Sequence, residues 1–149
     1  AATPAQRIAI FTNNDDGHRT ATDLHAAGVK IAAVIDTRAD APRSLDYEVL
    51  QGAQVTDTKG RLGLSFAEVE LADGSMRTIE CNAMGVSGGW NPNVQLSCHT
   101  GVKPEWQNDI LAFIPGKNNI STHLKAVGAA NGNFTLDSCM IASIDHNTL

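Results

Sequence analysis

The order of patterns along the sequence predicts an α/β domain with a parallel sheet and an antiparallel β-meander crossover. Two short apolar runs, Arg7–Thr12 (RIAIFT) and residues 29–35 (VKIAAVI), are typical of buried strands, and a helical pattern separates them. A strand–helix–strand unit of this kind joins parallel strands through a right-handed crossover. Residues 64–71 and 76–81 alternate apolar and polar side chains around the turn ADGS, which predicts an antiparallel ribbon. Together these elements fit a dinucleotide-type α/β domain.

Capping and turn residues predict the elements next to these strands. Asp15 or Asp16 can cap the helix after the first strand by accepting hydrogen bonds from its free N–H groups, and Gly28 can end that helix. Residues 42–50 form a predicted second helix, and residues 53–58 form a predicted third strand.

The carboxyl-terminal part is predicted to contain short elements. A strand at residues 83–86 leads into SGGWNPN, where two glycines and a proline end regular structure. The remaining predictions are, in order, a loop at residues 97–104, a strand at 109–114, a turn at PGKNN, a strand at 124–130, and a helix at 134–142 with Thr135 as its cap.

Composition and charge limit the classes of function. The 149 residues are 42% hydrophobic and 18% charged, which suits one globular domain, or one domain plus a piece of another. The net charge of −5 and the lack of a basic run argue against a nucleic-acid partner. No apolar run is long enough to span a membrane, and no export signal is evident. The chain starts without Met, so we expect a fragment of a longer protein.

The cysteine and histidine patterns point to no catalytic or metal site. Cys81, Cys98 and Cys139 are widely spaced and form no CxxC motif, so we expect free thiols in a reducing cytoplasm. The histidines form no HxH or HExxH pair. Cys98 and His99 are adjacent and would point apart, and Ser87 lacks the following helix that a nucleophile elbow needs.

The turn TNNDDG occupies the place of a dinucleotide-binding phosphate loop. The GxGxxG fingerprint needs three glycines, and none of the three is evident in that pattern here. Either Asp15 and Asp16 themselves occupy the anion position at the helix start, or the turn still holds a phosphate. Asp36 ends the second strand, 23 positions after Asn13, where an acid can bind an adenosine ribose. The alternative is that Asp36 is an ordinary turn residue.

Two glycine-containing stretches are further candidates for cofactor binding. GVSGGWNPN (85–93) contains Gly88, Gly89 and Trp90, which suit close backbone approach and a flat apolar surface, or else a tight inter-domain turn. GAANGNF (128–134) could hold an anion or the polar part of a cofactor at a helix start, or could simply pack tightly. Its candidate residues are Gly128, Ala129 and Gly132.

The sequence resembles the alpha subunit of heterotetrameric sarcosine oxidase over nearly its whole length, except for the first few residues and the final DHNTL. The resemblance is carried, in order, by the segments RIAIFTNNDDGHRTATDL, VIDTRAD, IECNAMGVSGGWNPNVQL, ILAFIPG and AVGAANGNFTLDSCM. The pairing of TNNDD with VSGGWNP is the most specific feature.

The resemblance implies a place within a longer subunit. Residues 1–108 would be the inserted dinucleotide-binding-like domain of a pyridine nucleotide-disulfide-oxidoreductase-like region, with the FAD/NAD(P)-binding-like three-layer fold. Residues 109–149 would return toward the first, NAD-holding nucleotide domain. GVSGGWNPN is similar to the stretch between these domains. GAANGNF is similar to the place where such reductases hold flavin with a Gly-Asp pair, and Ala129 stands where the acid would be.

The resemblance also implies the chemistry of the complete enzyme, which oxidatively demethylates sarcosine to glycine, forms hydrogen peroxide and passes the one-carbon unit to tetrahydrofolate. NAD would bind in the full subunit, and FAD, FMN and tetrahydrofolate would bind in the full complex but not to this chain alone, with the folate-binding region of the same subunit following residue 149. The partners would be the other subunits and the rest of the alpha subunit, or a second copy of the fragment. The isolated chain would lack catalytic residues, be inactive, and bind NAD weakly or not at all. Three alternatives stay open: a free-standing reductase or NAD-binding module, an NAD-binding or reductase-like module of an opine or amino-acid dehydrogenase complex, and a non-catalytic interaction domain.

Overall fold

A computed structural model describes residues 6–110, 112–116 and 124–144. The chain divides into two compact units, Ala1–Gly89 and Trp90–Leu149. The last strand of the parallel sheet ends at Ser87, within the first unit.

The first unit contains a parallel and an antiparallel sheet. Its elements are β1 (Arg7–Thr12), α1 (Asp15–Ala26), β2 (Lys30–Asp36), β3 (Val49–Gln51), β4 (Gln54–Lys59), β5 (Phe66–Glu70), β6 (Met76–Glu80) and β7 (Ala83–Ser87). The parallel sheet has the order β3-β2-β1-β7, and the antiparallel sheet has the order β4-β5-β6. The predicted α/β class, with a parallel sheet and a β-meander crossover, is confirmed.

Two apolar clusters hold these elements in three layers. On one face of the parallel sheet, Ala9 and Ile35 belong to a buried cluster that includes Val69 and Ile79 of the antiparallel sheet. On the other face, Ile10 and Val34 belong to a cluster with Ala21 of α1. Because β1 and β2 contribute to both clusters, their side chains are apolar on both faces, which explains their continuous apolar runs.

The segment after β2 differs from the prediction. Residues 42–48 form no helix: Leu45 is fully exposed, while Tyr47 packs against the apolar cluster beside α1, so the apolar side chains do not form the continuous face of a helix. Val49 and Leu50 instead pair with β2 as the short parallel strand β3. The strand predicted at residues 53–58 is real, as β4, but it belongs to the antiparallel sheet.

The second unit contains α2 (Gln95–His99), a hairpin of β8 (Pro104–Gln107) and β9 (Ala112–Pro115), a 3-10 helix (Gly128–Asn131) and α3 (Leu136–Ile144). The loop predicted from residue 97 therefore begins inside a short helix, and the strand predicted at 109–114 starts only at Ala112. The strand predicted at 124–130 was wrong, because Gly128 has a φ of +62° and begins the 3-10 helix. Most of the predicted PGKNN turn lies outside the described residues.

The final helix agrees with the sequence more closely. The Thr135 hydroxyl oxygen accepts a hydrogen bond from the Ser138 backbone N–H at 3.2 Å, which is the predicted capping contact.

Within the described ranges, no helix has the length and apolar character needed to cross a membrane.

Candidate functional site

The carboxyl ends of three neighbouring parallel strands meet the start of α1 in the first unit. Thr12, the last residue of β1, is in register with Asp36 of β2 on one side and with Ser87 of β7 on the other. The chain passes from β1 to one side of the sheet and returns later on the other side, which makes this edge a topological switch point. In open α/β sheets, ligands bind at such an edge.

Asn14 caps helix α1 with its own side chain. Its backbone is extended (φ −153°, ψ 171°), and its Oδ1 accepts a hydrogen bond from the Asp16 backbone N–H at 3.0 Å. The Asn14 Nδ2 group donates to the Ser87 carbonyl at 3.1 Å, and the Ser87 hydroxyl donates to Asn14 Oδ1 at 3.2 Å. A helix N–H that could hold an anion is therefore already bonded within the chain.

The predicted capping role of Asp15 or Asp16 was wrong. Both residues already belong to the first turn of α1, whereas a cap must precede the helix with a non-helical backbone. Their carboxylates still stabilise the helix, because negative charge is favourable near its amino-terminal end.

Gly17 allows α1 to lie directly against β1. A Cβ at this position would overlap the Thr12 side chain, with Thr12 Cγ2 only 2.8 Å away. In a GxGxxG pattern ending at Gly17, Thr12 and Asn14 would stand at the first two glycine positions. The prediction that all three glycines are missing is therefore corrected: Gly17 has the packing role of the third.

Asp36 is completely buried at the end of β2, and its carboxylate is surrounded by donors. Its Oδ1 accepts from the Arg38 backbone N–H at 2.9 Å, and its Oδ2 accepts from Arg38 Nη2 at 2.9 Å. Arg38 Nε bridges both oxygens, at 3.2 and 3.3 Å. His18 Nε2 lies 2.7 Å from Oδ2 and must be the donor, because an ionised carboxylate can only accept.

These contacts fix the charge of Asp36. Burial raises the pKa of the carboxyl group, but the hydrogen bonds from Arg38 and His18 outweigh it and hold the pKa below its ordinary value of 3.8. The Asp36 carboxylate in turn raises the pKa of the Arg38 guanidinium. Arg38 Nη2 also donates to Asp15 Oδ1 at 2.8 Å, so this arginine connects the end of β2 to the start of α1.

The candidate glycines of SGGWNPN lie next to the same edge. Gly89 has a φ of +88°, and a Cβ built there would be 3.6 Å from Asn14 Nδ2. Space around Gly88 is open. Trp90 begins the second unit, and its side chain is 68% exposed.

The candidates in GAANGNF lie in the second unit, where Gly128 and Gly132 pack closely against neighbouring side chains. Gly132 has a φ of +83°, and a Cβ there would come within 2.7 Å of Ile110 Cδ1. Gly128 packs against Cys139, whose Sγ would lie 3.5 Å from a Cβ at Gly128. Ala129 is exposed on the 3-10 helix.

The structure thus brings Asp36 and Gly89 close to the turn TNNDDG. Sequence reasoning missed the roles of Asn14, His18 and Arg38. The spacing of Asp36 and Arg38 could have indicated a local ion pair, but the His18 contact joins residues that only the fold brings together. Among the described residues, no group of three or more His, Cys, Asp or Glu side chains could hold a metal ion.

Comparison with known proteins finds relatives by sequence, and it also finds solved structures that share the fold at low sequence identity. No protein-family model matches the chain. The chain is 36% identical over 142 residues to the sarcosine oxidase alpha subunit of Rhizobium meliloti (strain 1021), covering 92% of this chain and 14% of that protein. It is 32% identical over 139 residues to the alpha subunit from Corynebacterium sp. (strain U-96), covering 85% and 14%. The chain therefore spans about a seventh of the length of these relatives.

Solved structures share the fold at low sequence identity. LpdA from Mycobacterium tuberculosis matches with a TM-score of 0.65 at 14% identity, over 96% of this chain and 34% of that one. The bacillithiol disulfide reductase YpdA from Staphylococcus aureus matches with a TM-score of 0.59 at 15% identity, over 97% and 52%. This chain is therefore related to a segment of sarcosine oxidase alpha subunits, and it has the α/β fold of FAD/NAD(P)-binding disulfide oxidoreductases.

Proposed function

We propose that this chain is the inserted nucleotide-binding-like scaffold in a sarcosine oxidase alpha subunit, and that by itself it binds NAD weakly or not at all. One observation carries the second part. The sheet edge that would receive a dinucleotide is occupied by the chain's own side chains, with Asn14 on the helix N–H and Arg38 on Asp36.

The charge at this edge also disfavours a dinucleotide. Asp15 and Asp16 lie in the first turn of α1, where the pyrophosphate of a dinucleotide would be placed. Like charges at such short range repel, and only part of that repulsion is offset by the helix dipole. The first two glycines, which allow close approach of the phosphates, are replaced by larger residues.

The activity belongs, in this proposal, to the complete complex. That enzyme would oxidise sarcosine to glycine, form hydrogen peroxide and pass the one-carbon unit to tetrahydrofolate, in the cytoplasm. NAD would bind to the full subunit, and FAD, FMN and tetrahydrofolate would bind in the full complex but not to this chain alone. The proposed cofactor-facing positions in the complete subunit are Asp36, Gly88, Gly89, Trp90, Gly128, Ala129 and Gly132.

The second unit has surface features that suit contact with other parts of the subunit. In α3, the side chains of Leu136, Met140 and Ile141 are 74%, 56% and 61% exposed. Large exposed apolar groups on one short helix are typical of a surface that another protein element covers. They support the proposal that residues 109–149 return toward the first nucleotide domain.

Calorimetric titration with NAD tests the proposal on two samples. We expect the isolated chain to show no micromolar binding, and the complete subunit that contains it to bind NAD. Assembled with its partner subunits, that protein should form hydrogen peroxide when sarcosine is added. Micromolar NAD binding by the isolated chain would contradict the scaffold role. Absence of sarcosine-dependent peroxide formation would contradict the assignment of the complex.

A further inference from the structure

We propose that Arg38 makes an autoinhibitory contact: it occupies the Asp36 carboxylate and so prevents that carboxylate from binding a ribose. This inference rests on the proposed function, since it explains why a nucleotide-type fold would leave its binding edge unused. The ligand class that the closed site excludes is a vicinal diol, such as the ribose of an adenosine nucleotide.

Asp36 lies where a ribose-binding acid is expected in a nucleotide-type fold. It ends β2 directly beside the end of β1, at the switch point of the parallel sheet. An acidic residue at this position of a nucleotide-binding βαβ unit accepts hydrogen bonds from the ribose hydroxyls. The local geometry is therefore that of a diol acceptor, provided that the carboxylate has free lone pairs.

Donors from the chain itself already occupy the Asp36 carboxylate. An ionised carboxylate offers about four acceptor positions. The Arg38 backbone N–H, Nε and Nη2 groups and the His18 Nε2 group already use them. All of these except His18 come from one residue, so Arg38 makes most of the contacts that a diol would replace.

Two carboxylates hold the Arg38 side chain in place, those of Asp36 and Asp15. The Arg38 side chain is 32% exposed whereas Asp36 is completely buried, so Arg38 is the member of this ion pair that solvent reaches. The second anchor of Arg38 is Asp15, whose side chain is 72% exposed. Removing the guanidinium would uncover Asp36 from the solvent side and leave His18 as its remaining side-chain partner.

An NMR titration with adenosine tests the inference, because adenosine carries the diol without the phosphates that the acidic turn repels. The samples are the full chain, Arg38→Ala, Arg38→Gln, and the control Arg19→Ala, which removes an exposed arginine paired with Asp16 on the same helix turn. We expect both Arg38 variants to bind adenosine at least about tenfold more tightly than the full chain and the control, the gain from one hydrogen bond to a charged group. Amide shifts should concentrate at the ends of β1 and β2.

A double variant, Asp36→Asn with Arg38→Gln, should lose this gain. Unchanged adenosine affinity in a folded Arg38 variant would overturn the inference, and so would a gain that persists without the Asp36 carboxylate. Arg38→Gln keeps most of the side-chain volume, so it provides the measurement if Arg38→Ala does not fold. These outcomes are independent of the proposed function, which depends on NAD binding by the unaltered chain and on the complete complex.

Discussion

Asp36 illustrates how much a single buried residue depends on its neighbours. A fully buried carboxylate is costly unless donors surround it, and here they come from its own loop and from α1. Removing the Asp36 charge would leave Arg38 without its main partner. Asp36 therefore stabilises the edge of the sheet by holding Arg38 and His18 in place.

Acid should weaken the fold through Asp36. Because its pKa in the folded protein is below 3.8, its contribution is fully present above that pH and is lost as the pH falls through the lowered pKa. We expect Asp36→Asn to lower the free energy of unfolding by about 3 kcal/mol at pH 7. We also expect the difference from the unaltered chain to shrink toward pH 3. Urea titrations at several pH values measure both; a difference that does not depend on pH would contradict this account.

Gly17 is a residue at which added volume should be damaging. Gly17→Ala would force a Cβ into the Thr12 side chain, so we expect a loss of about 1–3 kcal/mol in the free energy of unfolding. Gly63→Ala is the matched control, because a Cβ there meets nothing within 4 Å and the backbone has no positive φ. Equal stability of the two variants, measured by thermal denaturation, would show that the helix can move away from β1 at little cost.

At the scale of elements, the turn between β1 and α1 joins three strands to one helix. Asn14 caps the helix and also binds Ser87 at the end of β7, which is distant in sequence. Thr12 fixes the Asn14 backbone through its hydroxyl group, with contacts of 3.0 and 3.2 Å. The turn therefore has a structural role that does not require a ligand.

Substitution of Asn14 should separate its two contacts. Asn14→Ala removes both and should destabilise the fold by about 1–2 kcal/mol. Asn14→Ser can still cap the helix but cannot reach Ser87 with an amide, so we expect it to recover part of that loss. Circular dichroism measures the helix content of each variant, and chemical denaturation measures its free energy of unfolding. If serine restores nothing, capping is not the main contribution of Asn14.

At the scale of the whole molecule, burial among the described residues is concentrated in the first unit. Both buried apolar clusters lie there, on opposite faces of the parallel sheet. Among the described residues of the second unit, the buried apolar side chains are Pro92, Val102, Ala112 and Ile114. A stable core requires more buried apolar surface than so few side chains provide.

The two units should therefore differ in their ability to fold alone. We expect a fragment of residues 1–89 to unfold cooperatively, and a fragment of residues 90–149 to show no cooperative transition. In the first fragment, Ile35→Ala should cost about 2–5 kcal/mol, while Leu45→Ala, at a fully exposed position, should have little effect. Scanning calorimetry of the two fragments and of the two variants of the first fragment measures these differences. Cooperative unfolding of residues 90–149 would contradict the expected difference between the units.

Local sequence patterns determined the strands and the fold class because they reflect burial directly. Arg7–Thr12 and the ribbon at β5 and β6 carry the periodicity of their own elements, so they could be predicted. Residues 42–50 and 124–130 could not, because a few apolar residues suit a helix, a short strand or a loop equally well. Their conformation depends on which neighbour covers them.

The sequence by itself determined that this chain is a nucleotide-type α/β fold related to sarcosine oxidase alpha subunits. It placed Asp36 at the end of a buried strand and two aspartates in the first helical turn. Only the tertiary structure showed that Asn14 is the cap, that Gly17 packs against Thr12, and that Arg38 and His18 close the Asp36 carboxylate. The physical reason is that hydrogen-bond partners are chosen by distance in space, and sequence patterns record burial and periodicity instead.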